Sequence, residues 1–292
     1  MPSSPSTPTT LRLALPKGRM ADGVAALLAG AGIAMRMDPR GYRPTLSVPG
    51  FDTKVLKPQT VVEMLHTGSR DLGFAGADWV AELAADCVEV LDTGLDPVRL
   101  VAAAPEALLE DGRLPRRPLV VASEYERLTR DWIAAQGLDA TFVRSYGATE
   151  VFPPEDADCI VDNTASGSTL RANRLAIVDE LLRSSTRLYA SPRALADPMR
   201  REAIERLALV LRAVLEARAR VMLEVNVGRE RLEAVIARLP SMRQATVAPL
   251  HGDAGFAVKA AVPRAELPSL IPDIKAAGGT DIVVTELSQI VP

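Results

Sequence analysis

Residues 158–175 read DCIVDNTASGSTLRANRL, and they combine an acid with a run of small hydroxyl side chains around a glycine. Asp162 and Asn163 follow Cys159-Ile160-Val161, an apolar stretch that predicts the end of a strand. Open α/β sheets bind their ligands at such carboxyl ends. Thr164-Ala165-Ser166-Gly167-Ser168-Thr169 come next, and a helix is predicted to start at Leu170. The first N–H groups of a helix lack internal partners, and the dipole is positive there. Small residues let a phosphate approach those groups, and the hydroxyls of Ser166, Ser168 and Thr169 add donors. A carboxylate at Asp162 cannot help a phosphate. It can accept from two ribose hydroxyls, directly or through a magnesium ion. An acid plus a hydroxyl-rich turn therefore fits a 5-phosphoribosyl group better than a bare phosphate. The same residues suit a plain connection equally well, with Ser168 or Thr169 capping a helix and Gly167 turning the chain. The stretch is no P-loop, because GxxxxGK[ST] is absent.

The elements that must position this stretch come from periodicity. Leu11, Leu13 and Leu15 alternate as in a strand, Pro16 and Gly18 break it, and residues 21–33 carry a helical apolar pattern. Lys17 and Arg19 thus lie at a strand-to-helix turn, where they hold an anion or stand as solvated turn charges. Residues 71–83 repeat the arrangement: Leu72 and Phe74 end a strand, Gly76 turns the chain, and Asp78 is placed to cap a helix. Residues 98–105 and 119–125 are strand-length apolar runs, and 128–138 read as a helix closed by Gly137. This alternation predicts an α/β fold with a largely parallel sheet. A long amphipathic helix spans 197–220. Beyond it come a strand (221–227), a helix (229–240), two strands (245–250 and 256–262), a helix (264–279) and a strand (281–287). The order β-α-β-β-α-β is that of a ferredoxin-like domain.

The whole chain sets limits. Its 292 residues suffice for two or three domains. A formal net charge of −3 offers no basic surface for nucleic acid, so any anionic ligand must be held locally. Two cysteines, Cys87 and Cys159, in apolar contexts predict buried thiols, and two histidines are too few for most zinc sites. Residues 1–10 lack a charged start and an apolar core, which predicts a disordered tail. No apolar run approaches the ~20 residues of a membrane span, and the expected location is cytoplasmic.

Several segments together resemble one family, ATP phosphoribosyltransferase of the long form, the first enzyme of histidine biosynthesis. That family's phosphoribosyl-diphosphate loop has a Glu, a spacer, an Ile-x-Asp strand end and a [Ser/Thr]-Gly-x-Thr-Leu turn. Glu150, Ile160, Asp162, Ser166, Gly167, Thr169 and Leu170 match it. LALPKGRM is similar to the opening strand and turn, LKPQTVVEMLHTGSRDLGFAGAD and VASEYERLTRDWIAAQGL to later segments, and ATVAPLHGDAGFAVKAAV to the regulatory domain. The resemblance implies attack by N1 of ATP on C1 of phosphoribosyl diphosphate, with loss of pyrophosphate and no side-chain nucleophile. It implies phosphoribosyl diphosphate at Lys17 and at Asp162, Asn163, Thr164, Ala165, Ser166, Gly167, Ser168 and Thr169. ATP is implied at Arg19, Lys57, Glu124, Tyr125 and Glu150, although Tyr125 has simple packing as its alternative. It also implies magnesium as cofactor with Asp162 as its ligand, inhibition by histidine at Glu224 and Thr246, and a homo-oligomer between dimer and hexamer. The implied fold is two α/β lobes like a type II periplasmic binding protein, 11–100 with 188–215 and 101–187, plus a regulatory domain at 216–292. Lys57 stands where the family has Arg, and Asn163 where it has an aliphatic residue. Gln59 and Thr60 leave room for a paralogue with another acceptor, and the same scaffold also serves non-catalytic ligand binders.

Overall fold

The computed structural model describes residues 10–37, 41–242 and 244–291. The expected disordered tail lies outside them, apart from Thr10. In chain order the elements are β1 (Leu11–Pro16), α1 (Met20–Gly30), β2 (Met35–Arg36), β3 (Thr45–Leu46), β4 (Phe51–Leu56), α2 (Pro58–His66), β5 (Leu72–Gly76), α3 (Ala77–Glu82) and β6 (Val88–Pro105). There follow β7 (Leu119–Ser123), α4 (Glu126–Gln136), β8 (Ala140–Arg144), β9 (Cys159–Thr164), α5 (Ser168–Ala172), β10 (Leu175–Ala190), α6 (Pro192–Ala196) and α7 (Pro198–Ala219). The chain ends with β11 (Arg220–Val227), α8 (Leu232–Ile236), β12 (Thr246–Pro249), β13 (Phe256–Pro263), α9 (Leu267–Ala276) and β14 (Thr280–Glu286). Two compact units result. One comprises the residues up to Ala26 and Ile33–Arg206, and the other Leu27–Gly32 with the residues from Leu207 on.

In the first unit an eight-stranded sheet runs β4-β1-β5-β10-β6-β9-β7-β8. Strands β4-β1-β5 form one parallel triplet and β9-β7-β8 another. Between them, β10 is antiparallel to both β5 and β6, and β6 is antiparallel to β9. The sheet is thus mixed rather than largely parallel. β6 and β10 lie between the two triplets. β6 is buried on both sides: Leu100, Ala102 and Ala104 pack in the core on one face, while Val101 and Ala103 pack in that on the other. A strand covered on both faces reads as a continuous apolar run. β9 does the same, with Cys159 and Val161 on one side and Ile160 on the other. Burial pushes the Cys159 thiol up to about 12, so it packs as an inert apolar group.

In the second unit the sheet order is β12-β13-β11-β14, antiparallel throughout. With α8 between β11 and β12 and α9 between β13 and β14, this is the ferredoxin-like βαββαβ arrangement. Val221, Leu223, Val225 and Val227 alternate along β11 and pack with Val235 of α8 and Leu270 and Ile274 of α9. Glu224 and Asn226 point to the opposite face of the sheet, as the period of two requires.

Candidate active site

β9 delivers the opening motif to a cavity. Arg19, Glu150, Asp162, Asn163, Thr164, Ala165, Ser166, Ser168, Thr169 and Leu170 line a hollow of about 220 Å³. The turn is held by its own side chains. Buried Thr164 accepts from the Gly167 N–H at 3.0 Å through Oγ1, Ser166 Oγ donates to Ser168 Oγ at 3.0 Å, and Arg171 Nη1 donates to the Ser166 carbonyl at 3.0 Å. Gly167 has φ of +74°, a left-handed conformation that glycine adopts without strain. No described residue accepts from the main-chain N–H of Ser166, Thr169 or Leu170. The helix differs from expectation. It starts at Ser168 and ends at Ala172, because the chain turns straight into β10. A five-residue helix has little dipole, so anion binding here rests on individual N–H and hydroxyl donors.

Asp162 Oδ1 accepts from the Asn163 N–H at 2.7 Å. Burial nevertheless pushes this carboxyl up to about 6, against the help of that N–H and with the negative charges of Glu150 and Glu124 adding to the rise. A half-buried acid short of positive partners is poised to accept donors from a ligand or to meet a cation. Among the described residues, no group of three or more His, Cys, Asp or Glu is arranged to hold a metal ion.

A second cavity of about 250 Å³ adjoins the first through Arg19 and Asn163, which line both. Lys17, Met20, Pro58, Gly76, Asp78, Trp79, Asp96, Val98 and Ser184-Ser185-Thr186 complete its wall. Arg19, rather than Lys17, is the cation beside the loop, and Lys17 faces only the second hollow. Asp78 is not a helix cap, since Gly76 holds that position. Its carboxylate accepts instead from Ser184 Oγ at 2.8 Å and from Tyr125 Oη at 2.7 Å. Tyr125 lines neither cavity. It is 0% exposed, its ring stacks on Trp79 at 4.6 Å between centroids, and its hydroxyl bonds Asp78 and Asn163. The half-buried Trp79 is the aromatic surface that reaches the cavity.

The remaining residues fall apart from these walls. Lys57, exposed, precedes α2 and lines neither cavity, although the next residue, Pro58, does. Half-buried Glu124 is felt by Asp162 through its charge but also lines neither. Glu224 and Thr246 lie in the second unit, both in register with Lys259 of β13, and Lys259 Nζ donates to Glu224 Oε1 at 2.6 Å. Trp79, Asp96 and Ser184–Thr186 were missed by sequence reading. The Asp-Thr-Gly-Leu-Asp-Pro run at 92–97, rich in turn residues, was the available signal for Asp96. A larger hollow, about 670 Å³ and lined by Arg116, Trp132 and Asp179 among others, shares no residue with either cavity.

A family model described as HisG: ATP phosphoribosyltransferase matches residues 57–213, and one described as HisG, C-terminal domain, matches 217–289. An ATP phosphoribosyltransferase of Chlorobium luteolum is 35% identical over 286 residues, covering 96% of this chain and 97% of that one. Another from Pelotomaculum thermopropionicum is 35% identical over 287 residues, covering 97% and 99%. Among solved structures, a chain of the ATP phosphoribosyl transferase (HisG:HisZ) complex from Thermotoga maritima is similar in fold, with a TM-score of 0.63 at 24% identity. It covers 71% of this chain and 99% of that one. A match over more than half of the sequence, joined to near-full-length identity of about a third, places the chain in the ATP phosphoribosyltransferase family.

Proposed function

We propose that the chain carries out the first step of histidine biosynthesis by transferring a 5-phosphoribosyl group from phosphoribosyl diphosphate to N1 of ATP, with its residues divided between the two adjoining cavities. One observation carries the division: Arg19, Glu150, Asp162 and the turn residues 163–166 and 168–170 share a single hollow. The hydroxyls of Ser166, Ser168 and Thr169 and the free N–H groups around them hold the 5-phosphate. Asp162 accepts from the ribose hydroxyls and, as a nearby negative charge, favours positive charge developing on the sugar. Arg19, at the junction, faces the leaving pyrophosphate. Lys17 and Trp79 serve the ATP in the second cavity, one by charge and one by an aromatic face. Catalysis rests on bringing N1 and C1 together and on placed charge, which alone supplies a large part of such barriers.

Magnesium fits as an ion carried by the diphosphate. Asp162 is the one protein ligand we assign to it, because the described residues offer no cluster of three. When bound it neutralises charge on the departing pyrophosphate. We read residues 11–100 with 188–215, and 101–187, as the lobes that meet around these cavities. Glu224 and Thr246, flanking Lys259, are our candidates for contact with inhibitory histidine in a homo-oligomer. No helix among the described residues is long and apolar enough to cross a membrane, and a cytoplasmic location is part of this proposal.

An ultraviolet assay for phosphoribosyl-ATP with protein, magnesium, ATP and phosphoribosyl diphosphate tests the reaction, and repeating it with added histidine tests the inhibition. Asp162→Ala and Thr169→Ala are each expected to raise KM for phosphoribosyl diphosphate about tenfold, one good hydrogen bond's worth. Unchanged kinetics in both variants would remove the loop from the site.

A further inference from the structure

The hydrogen bonds of one buried pair dictate which way an amide in the substrate wall must face. Tyr125 Oη lies 2.7 Å from Asp78 Oδ2. A carboxylate can only accept, so the single phenol proton points at Asp78 and the phenol oxygen is left as an acceptor. Asn163, 2.9 Å from that oxygen, must then turn its Nδ2 toward Tyr125. The flipped amide would set two oxygens against each other. The arrangement is locked from behind. Ser184 Oγ donates to Asp78 Oδ1 at 2.8 Å, and burial together with the Asp78 charge keeps the phenol protonated far above its ordinary range. With Nδ2 committed, Oδ1 is the atom left over. No described residue donates to it, and Asn163 lines both cavities, next along the chain to the ribose ligand Asp162.

We propose that Asn163 Oδ1 accepts a hydrogen bond from the 6-amino group of the acceptor adenine, and so selects a 6-amino purine at this site. The proposal rests on the transfer to N1 of ATP argued above. In that step N1 must come within about 3–3.5 Å of the ribose C1. The 6-amino group flanks N1 on the same edge of the ring, so an acceptor beside the ribose ligand meets it. The N1 lone pair forms the N1–C1 bond, and the C1–O bond breaks with its electron pair leaving on pyrophosphate. The N1–C6–N6 amidine takes up the positive charge, which makes N6–H a stronger donor. The bond to Oδ1 therefore tightens on the way to the transition state, where tightening accelerates. A 6-oxo purine would turn a carbonyl oxygen toward Oδ1 and be rejected.

The test compares ATP with purine riboside triphosphate, which carries hydrogen in place of the 6-amino group. Dissociation constants for both are measured by calorimetry with magnesium, in wild type and in Asn163→Leu, alongside turnover of ATP. The wild type is expected to prefer ATP about tenfold, and the preference should fall to about one in Asn163→Leu. The kcat with ATP should drop about tenfold. Asn163→Ser, which is too short to reach, gives the same readout should the leucine variant fail to fold. A preference that survives both substitutions, or none in the wild type, overturns the proposal and leaves the reaction standing. Absence of phosphoribosyl-ATP from the wild type overturns the reaction, and the proposal with it.

Discussion

Asp162 shows what a ligand-ready carboxyl costs the fold. Its pKa stands at about 6, above the ordinary aspartate value of about 3.9, chiefly because burial disfavours the charged form. Between those values the folded chain binds a proton that the unfolded chain does not, so stability falls as pH rises through that window. The penalty is complete above it and absent below it. Asp162→Asn should therefore stabilise the protein at pH 8, by on the order of 1–3 kcal/mol, with the gain vanishing near pH 4. Thermal melts at the two pH values decide this, and an equal gain at both would refute it. Function runs the other way. On the proposed assignment ribose hydroxyls and a cation need the carboxylate, so KM for phosphoribosyl diphosphate in the wild type should climb as pH drops through about 6, and in Asp162→Asn it should stay flat.

At the scale of elements, the site depends on a close approach between β5 and α3. Gly76 has φ of −75°, which any residue tolerates, yet a Cβ there would collide with Asp78 Oδ1. Gly76→Ala must move a carboxylate held by Ser184 and Tyr125. Weakening those bonds costs about 1–3 kcal/mol, or several degrees of Tm. Gly23→Ala in α1 is the control, since its added methyl meets nothing nearer than 3.5 Å and should raise Tm. Should both variants melt alike, the approach at Gly76 is unimportant. None of this could be read from the sequence, where Asp78 looked like a cap and Tyr125 like a site residue. The local signals were sound: β1, β9, α4 with Gly137, and the βαββαβ tail all lie where periodicity and turn residues put them. The failures share a physical cause. The register of β10 against β6 shifts at several points, and Gly94 and Asp96 inside β6 have positive φ. Bulges break the period of two and bring turn residues into strands, so neither the first half of β6 nor most of β10 stands out as a strand in the sequence. The parallel expectation failed for the same reason, since these two long strands are what make the sheet mixed.

For the molecule as a whole, the second unit is discontinuous in sequence. The last turn of α1 and the loop after it, Leu27–Gly32, belong with the residues beyond Leu207. Leu27 and Leu28 are buried there, Gln289 Nε2 donates to the Gly30 carbonyl at 3.0 Å, and Ile290 N–H donates to the Ala213 carbonyl at 2.9 Å. Cutting the chain at the end of the family's catalytic match would thus strip α1 of its packing. Gly30 marks a tight contact of α1 with α7. A Cβ there would lie 2.8 Å from Val214 Cγ1, and Val214 is buried in α7, where a β-branched side chain has one strongly preferred rotamer. Two effects oppose each other in Gly30→Ala. Helix propensity favours alanine by about 1 kcal/mol, and overpacking opposes it by about 1–3 kcal/mol. With Val214 unable to rotate away, overpacking should win and the single variant should melt below wild type. In a Val214→Ala background the obstruction is gone, propensity alone remains, and the same substitution should raise Tm. The sign reversal between backgrounds is the measurement. An equal shift in both would mean that α1 and α7 do not meet at Gly30, and the discontinuous unit would have to be redrawn.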